Sequence, residues 1–209
     1  MVRCTLLDAG KKFANDWIFQ AVNYQFESGN AYAIVGANGA GKSTLLHVLS
    51  AYQSLSKGKI SYFLNDAPLA ESAVFQHLGW AAPYLDIVEE FTLKEFLQFH
   101  FSFKKTVNNL SIDHLIDLCA LTHVQHKPIK YFSSGMKQRV KLISSICAQN
   151  EILLLDEPCT NLDLNGIEWY QQLLKDYGNN RLIIIASNRR EEYTMCQHIF
   201  DINAYKTSK

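Results

Sequence analysis

The stretch AYAIVGANGAGKSTLLHVLS, residues 31–50, decides the fold. Its first positions, Ala31 to Val35, form a short apolar run that stops at Gly36, as a buried strand does. Lys42 to Ala51 then reads as a helix. Between them GANGAGKS, Gly36 to Ser43, fits the pattern G-x-x-x-x-G-K-S/T, in the strand–loop–helix context that the pattern requires. Glycines let such a backbone wrap a polyphosphate, and successive N–H groups aim at its oxygens. The helix N-terminus adds partial positive charge. In this arrangement Lys42 reaches the β- and γ-phosphates and the Ser43 hydroxyl can bind Mg²⁺. Gly36, Asn38, Gly39, Ala40, Gly41 and Thr44 complete the expected cradle.

Working outward, WIFQAVNYQF (17–26) alternates as a half-buried strand does. EILLLDEP (151–158) carries Asp156 on an apolar run to a strand's carboxyl end, where α/β proteins bind ligands. Asp156 can complete a Mg²⁺ shell, and Glu157 beside it can orient or deprotonate an attacking water. Alone, a strand ending in Asp-Glu is an ordinary solvated turn; beside a phosphate loop it becomes a site. The middle of the chain changes character. Thr92 and Glu95 have capping-box spacing before a helical segment, and Ser111 is positioned to cap a helix over 111–121. Met136, Val140, Ile143 and Cys147 form one helical stripe. The last third alternates again: strand 151–156, helix 166–177, strand 181–187, a helix from about 189 and a short strand near 198–203. The expected fold is therefore α/β, a P-loop nucleotide-binding core with a mostly parallel sheet, an antiparallel β part and a helical insert. As one domain over 1–209, it divides into a core of 1–83 and 135–209 and a helical subdomain of 84–134.

Composition narrows the function classes. Twenty Lys and Arg balance twenty Asp and Glu, so no basic field attracts nucleic acid. The five cysteines have no C-x-x-C spacing and an odd count, which argues against a zinc site or a disulfide framework and for reduced thiols in a cytosol. MVRCTLLDAGKKF has no long apolar segment of the signal-peptide kind, and no run approaches the roughly 18 apolar residues of a membrane span. The reading is a soluble chain whose membrane role, if any, runs through a partner.

Two further stretches carry a resemblance. YFSSGMKQR (131–139) and DEPCTNLD (156–163), in this order after the phosphate loop, resemble the ATP-binding cassette (ABC) ATPases, and the likeness covers essentially the whole chain. The family's L-S-G-G-Q signature corresponds to Phe132-Ser133-Ser134-Gly135-Met136, and its D-loop to Thr160-Asn161-Leu162-Asp163. The resemblance implies that two cassettes pair head to tail around two ATP molecules, each held between one copy's phosphate loop and the other's signature. Ser133 is a small hydroxyl donor and Gly135 lets backbone N–H approach a γ-phosphate; as an isolated stretch, FSSGM reads first as an ordinary helix N-cap. Family members stack adenine on an upstream aromatic residue, which by offset is Phe13, with Trp17 as second candidate. Asp163 joins the nucleotide-binding set by the same resemblance.

The pattern fails at two positions. The family's glutamine after the region resembling LGWAAPYL (78–85) falls on Pro83, which has no side-chain donor or acceptor. Its switch histidine falls on Asn188, at the end of LIIIASN (182–188). Asn can donate to a γ-phosphate but cannot carry charge or shuttle a proton near neutral pH; it can also cap the next helix. Lys42, Asp156 and Glu157 being present, the resemblance implies a slow ATPase, with ATP and Mg²⁺ as cofactors and Glu157, Lys42 and Asn188 as catalytic residues. Its partners would be a second cassette, forming a homodimer, and a separate membrane-spanning permease, with this chain on the inner face of the cell membrane. The wording is similar to small export-type cassettes such as the heme-exporter subunit. A clamp that dimerises on ATP with little hydrolysis, and a soluble non-transport ABC ATPase, are the alternatives.

Overall fold

A computed structural model describes residues 1–206. In chain order its strands and α-helices are β1 (Val2–Phe13), β2 (Asp16–Glu27), β3 (Ala31–Val35), α1 (Lys42–Leu49), β4 (Lys57–Leu64), β5 (Ala67–Leu69), β6 (Leu78–Ala81), α2 (Leu93–Phe103), α3 (Ile112–Leu118), α4 (Ser134–Ile146), β7 (Ile152–Asp156), α5 (Leu164–Tyr177), β8 (Leu182–Ala186) and β9 (His198–Asp201). They fall into two compact units: Met1–Leu78 with Asn150–Glu157 and Asn180–Lys209, and Gly79–Gln149 with Pro158–Asn179.

The first unit contains two sheets. One is antiparallel, in the order β2-β1-β4-β5. In the other, β7, β8, β3 and β9 lie side by side and run parallel. Every residue of β7 and of β8 is buried, which is why both read as unbroken apolar runs instead of alternating. Each fully buried Leu or Ile there contributes roughly 1.5–3 kcal/mol of hydrophobic stabilisation. Helix α1 packs on β7 and β8, so the phosphate loop, between β3 and α1, lies at the carboxyl ends of the parallel strands.

The second unit is built from helices. Thr92 caps α2 in the expected capping box: its side chain accepts from Glu95 N at 3.2 Å, and its N–H donates to the Glu95 carboxylate at 2.8 Å. Ser111 caps α3, accepting from His114 N at 3.2 Å. Helix α2 packs on α3 and α4, and α4 on α5. The second compact unit also holds α4 and α5, which follow the helical segment 84–134 read from the sequence.

One expected element differs. Past Asn188 the chain makes only a single 3-10 turn, Arg190–Glu192, where a longer helix was anticipated. Arg189 pairs with Glu191 at 2.8 Å and lies 3.7 Å from Glu192, and Ser187 Oγ accepts from Arg189 N at 2.9 Å. Side-chain bonds of this kind give the backbone an alternative to continued helix.

Candidate functional site

Within the first unit, Ile18, Asn38 to Thr44 and Glu157 line one open cleft. The loop's last residue before α1 is Gly41, at φ +102°, a left-handed conformation that disfavours any side chain. A Cβ there would lie 2.3 Å from Ile18 Cγ2, so the loop also needs glycine to pass β2. Helix α1 makes its first internal bond at Leu45 N, donating to Gly41 O at 2.9 Å. The N–H groups of the preceding residues are the orphan donors of a helix N-terminus, suited to anionic oxygens. Lys42 is buried, and its Nζ donates to Gly36 O at 2.9 Å and Ala37 O at 3.2 Å. The ammonium is thus held in the concavity of the loop. Ser43 and Thr44 both face the cleft, while Ala40 is buried beneath it.

Strand β7 delivers the two acids. Asp156 is buried at its carboxyl end, paired in register with Ala186 of β8. Glu157 follows; its N–H extends the ladder by donating to Ala186 O at 2.9 Å, and its backbone then turns at φ +42°. That left-handed conformation is costly for a residue with a side chain and turns the chain just as Glu157 meets the cleft. Burial lowers the His47 pKa in α1, while the Asp156 charge opposes this from close by. The oxygen donors Ser43 and Asp156 suit a small hard cation that keeps water and phosphate ligands. Among the described residues no three His, Cys, Asp or Glu side chains cluster as a complete metal cage.

Asn188 is not among the residues lining the cleft but bonds to one that is, Asn38. Its Nδ2 donates to Asn38 Oδ1 at 3.0 Å. The alternative of helix capping does not hold: the 3-10 turn that follows has Arg189 at its cap position and no side-chain cap bond. Phe13 ends β1 half-exposed, with Lys11 Nζ 5.2 Å from its ring centre, and is not among the residues lining the cleft. Trp17 lies under Lys12 Nζ at 5.5 Å. Its neighbour Ile18, which the sequence did not single out, is the β2 residue that lines the cleft.

A second concave surface lies within the second unit, lined by Ser133 to Met136, Arg139 and Asn161 to Asp163. Both serine and aspartate here are helix caps: Ser133 Oγ accepts from Met136 N at 3.2 Å and Asp163 Oδ1 from Gly166 N at 2.8 Å. A Cβ on Gly135 would lie 2.8 Å from Asn161 O, so glycine allows the two segments to meet. Gln138, buried, donates to Pro158 O at 2.7 Å and anchors the same loop. The Arg139 guanidinium lies 4.5 Å from the Trp169 ring centre, and Trp169 Nε1 donates to Leu118 O at 2.7 Å. The Pro83 carbonyl accepts from Lys141 Nζ at 2.8 Å, and burial lowers the Lys141 pKa.

Comparison with known proteins agrees with this arrangement. The family described as "ABC transporter" matches residues 19–160. The chain is 30% identical over 177 residues to YcbN, an ABC transporter ATP-binding protein of Bacillus subtilis (strain 168), covering 83% of this chain and 58% of YcbN. It is 28% identical over 181 residues to the cytochrome c biogenesis ATP-binding export protein CcmA of Reclinomonas americana, covering 85% and 81% of the two chains. Its fold matches an ABC transporter ATP-binding protein of Pyrococcus furiosus with a TM-score of 0.78 at 22% identity, over 98% of this chain and all of the other. The phosphate loop, the acids behind it and the family match across 19–160 lead to one conclusion: this chain belongs to the ABC transporter family, as an ATP-binding cassette.

Proposed function

We propose that this chain binds and hydrolyses ATP as the cassette subunit of a transporter, working with a second copy and a separate membrane-spanning subunit. The observation that carries this is the sharing of one cleft by Lys42, Ser43 and Glu157, with Asp156 one residue before Glu157 at the end of β7. Lys42 and the loop N–H groups would hold the β- and γ-phosphates. Ser43 and Asp156 would hold Mg²⁺, which when bound neutralises phosphate charge. Glu157 would orient the attacking water and take its proton, aided by its turned backbone. Asn188 would donate to the γ-phosphate as a neutral group. Ser133, Gly135 and Asp163 of the second copy would close over the same phosphate. Loss of the γ-phosphate would remove the ligand joining the copies and let them separate. Adenine stacking is assigned to Phe13 or Trp17, which lie at the paired ends of β1 and β2, the strand that carries Ile18.

One relative, CcmA, is named for export, SrtF of Streptococcus pyogenes for lantibiotic transport without a direction, and MalK of Mannheimia succiniciproducens for import; the likeness to CcmA over most of both chains favours an exporter on the inner face of a membrane. Among the described residues no helix is long and apolar enough to cross a bilayer; the proposal assigns the membrane-spanning part to a separate chain. A second reading, an ATP-gated clamp with little turnover, draws on Pro83 and Asn188 standing at two positions where the family carries Gln and His. Sedimentation of the Glu157→Gln variant tests the assembly. Dimers with ATP and monomers with ADP are expected; monomers under both conditions would refute pairing around ATP.

A further inference from the structure

The residue at the end of β8 and the phosphate loop, 150 positions apart, are joined by a single side-chain bond, Asn188 Nδ2 to Asn38 Oδ1. Several features aim Asn188 at the loop. Ser187 is fully buried, and its N–H donates to Ile34 O at 3.1 Å, on the strand that leads into the loop. Ser187 Oγ accepts from Arg189 N at 2.9 Å, turning the chain immediately after Asn188. The Arg189 guanidinium is engaged by Glu191 at 2.8 Å and lies 3.7 Å from Glu192. The group offered to the loop is therefore an amide and not a cation.

An amide carries two N–H donors and one acceptor oxygen. One N–H of Asn188 goes to Asn38, which restricts rotation of the Asn188 amide and leaves its other N–H as a donor. Both side chains are exposed, and Asn38 lines the cleft, so the second N–H can serve a ligand there. We propose that Asn38 is a positioning residue for Asn188, and that this neutral amide pair lets the site tell a nucleoside triphosphate from a diphosphate without a charged side chain at 188. The inference rests on the reading of this cleft as an ATP site.

Equilibrium titration with ATP and with ADP tests it, using the Glu157→Gln background so that ATP stays intact. Hydrogen bonds to charged groups are among the stronger ones, so Asn188→Ala is expected to lower the preference for ATP over ADP about tenfold. Asn38→Ala is expected to lower it severalfold when Asn188 is present and to change it little when Asn188 is already alanine. ADP affinity is measured for each variant so that the preference is read as a ratio, and folding is checked separately by urea midpoints within about 0.5 kcal/mol of the parent. An equal effect of Asn38→Ala in both backgrounds would overturn the positioning role. ATP binding with a preference unchanged in every variant would overturn the amide pair and leave the ATP reading standing. Failure to bind either nucleotide would overturn both.

Discussion

Replacing Gly135 with alanine destabilises this protein, and the structure supplies both the sign and the size. Gly135 lies in the first turn of α4 and is not among the left-handed residues, so alanine meets no backbone strain there. By helix propensity alone alanine would stabilise by up to about 1 kcal/mol. Opposing this, the new Cβ would lie 2.8 Å from Asn161 O. That oxygen belongs to the backbone, so no side-chain rotation relieves the contact. Its segment is also held, with Gln138 donating to Pro158 O at 2.7 Å and Asn161 at φ +65°. Forcing a methyl group into a packed site costs about 1–3 kcal/mol, which outweighs the propensity gain across most of its range. A net loss of about 1 kcal/mol is expected. With a urea slope of about 2 kcal/mol per molar, the unfolding midpoint falls by about 0.5 M at unchanged slope. Ser134→Ala, at the preceding position, is the control and should stay within about 0.5 kcal/mol of the parent. A Gly135→Ala midpoint at or above the parent's would refute the argument that this glycine exists to let Asn161 approach.

Gly41→Ala combines the left-handed backbone with the 2.3 Å approach to Ile18, and should abolish ATP binding in equilibrium titration. Adding Ile18→Ala removes the clash but not the strain, so binding should return only in part; full retention in the single variant would contradict the loop geometry. His100 gives a pH prediction. Burial lowers its pKa below the ordinary 6.5, Lys104 adds to this, and the Ser144 carbonyl that Nε2 meets at 3.0 Å opposes it. Below about pH 6.5 the unfolded chain therefore binds a proton that the folded chain resists, and stability falls as pH drops toward the lower folded pKa. Urea midpoints for His100→Gln should move in the variant's favour relative to the parent below pH 6.5 and run parallel above it; parallel curves throughout would refute the assignment.

Much of the nucleotide-facing unit is legible in the sequence because its determinants are local. Gly36 to Ser43 and the run into Asp156 each lie on one contiguous segment, where strand, loop and helix signals reinforce one another. Contacts between distant segments are not legible in this way. Nothing near Asn38 announces Asn188, and the single bond between them leaves no periodic trace. The approach of Gly135 to Asn161 reads locally as two unrelated features, a helix cap and a turn. The Trp169 indole, held between Arg139 and the Leu118 carbonyl, ties α5 to both α4 and α3, a contact between segments far apart in the chain that no local pattern announces. The segment after Asn188 carries good helix formers, yet pairing of Arg189 with Glu191 and the Ser187 hydroxyl bond shorten it to a 3-10 turn. Tertiary context overrides propensity there.

Single-turnover hydrolysis of ATP by the purified protein, at a concentration high enough for pairing, tests the central claim most directly. Glu157→Gln serves as the comparison. The parent is expected to release phosphate while the variant binds ATP equally and does not turn it over, because the proposed mechanism assigns the water's proton to Glu157, the carboxylate among the described residues that line the cleft. Equal rates in the two proteins would contradict the assignment of Glu157. ATP-bound dimers that never release phosphate, even when the membrane subunit is supplied, would contradict the ATPase and establish the clamp.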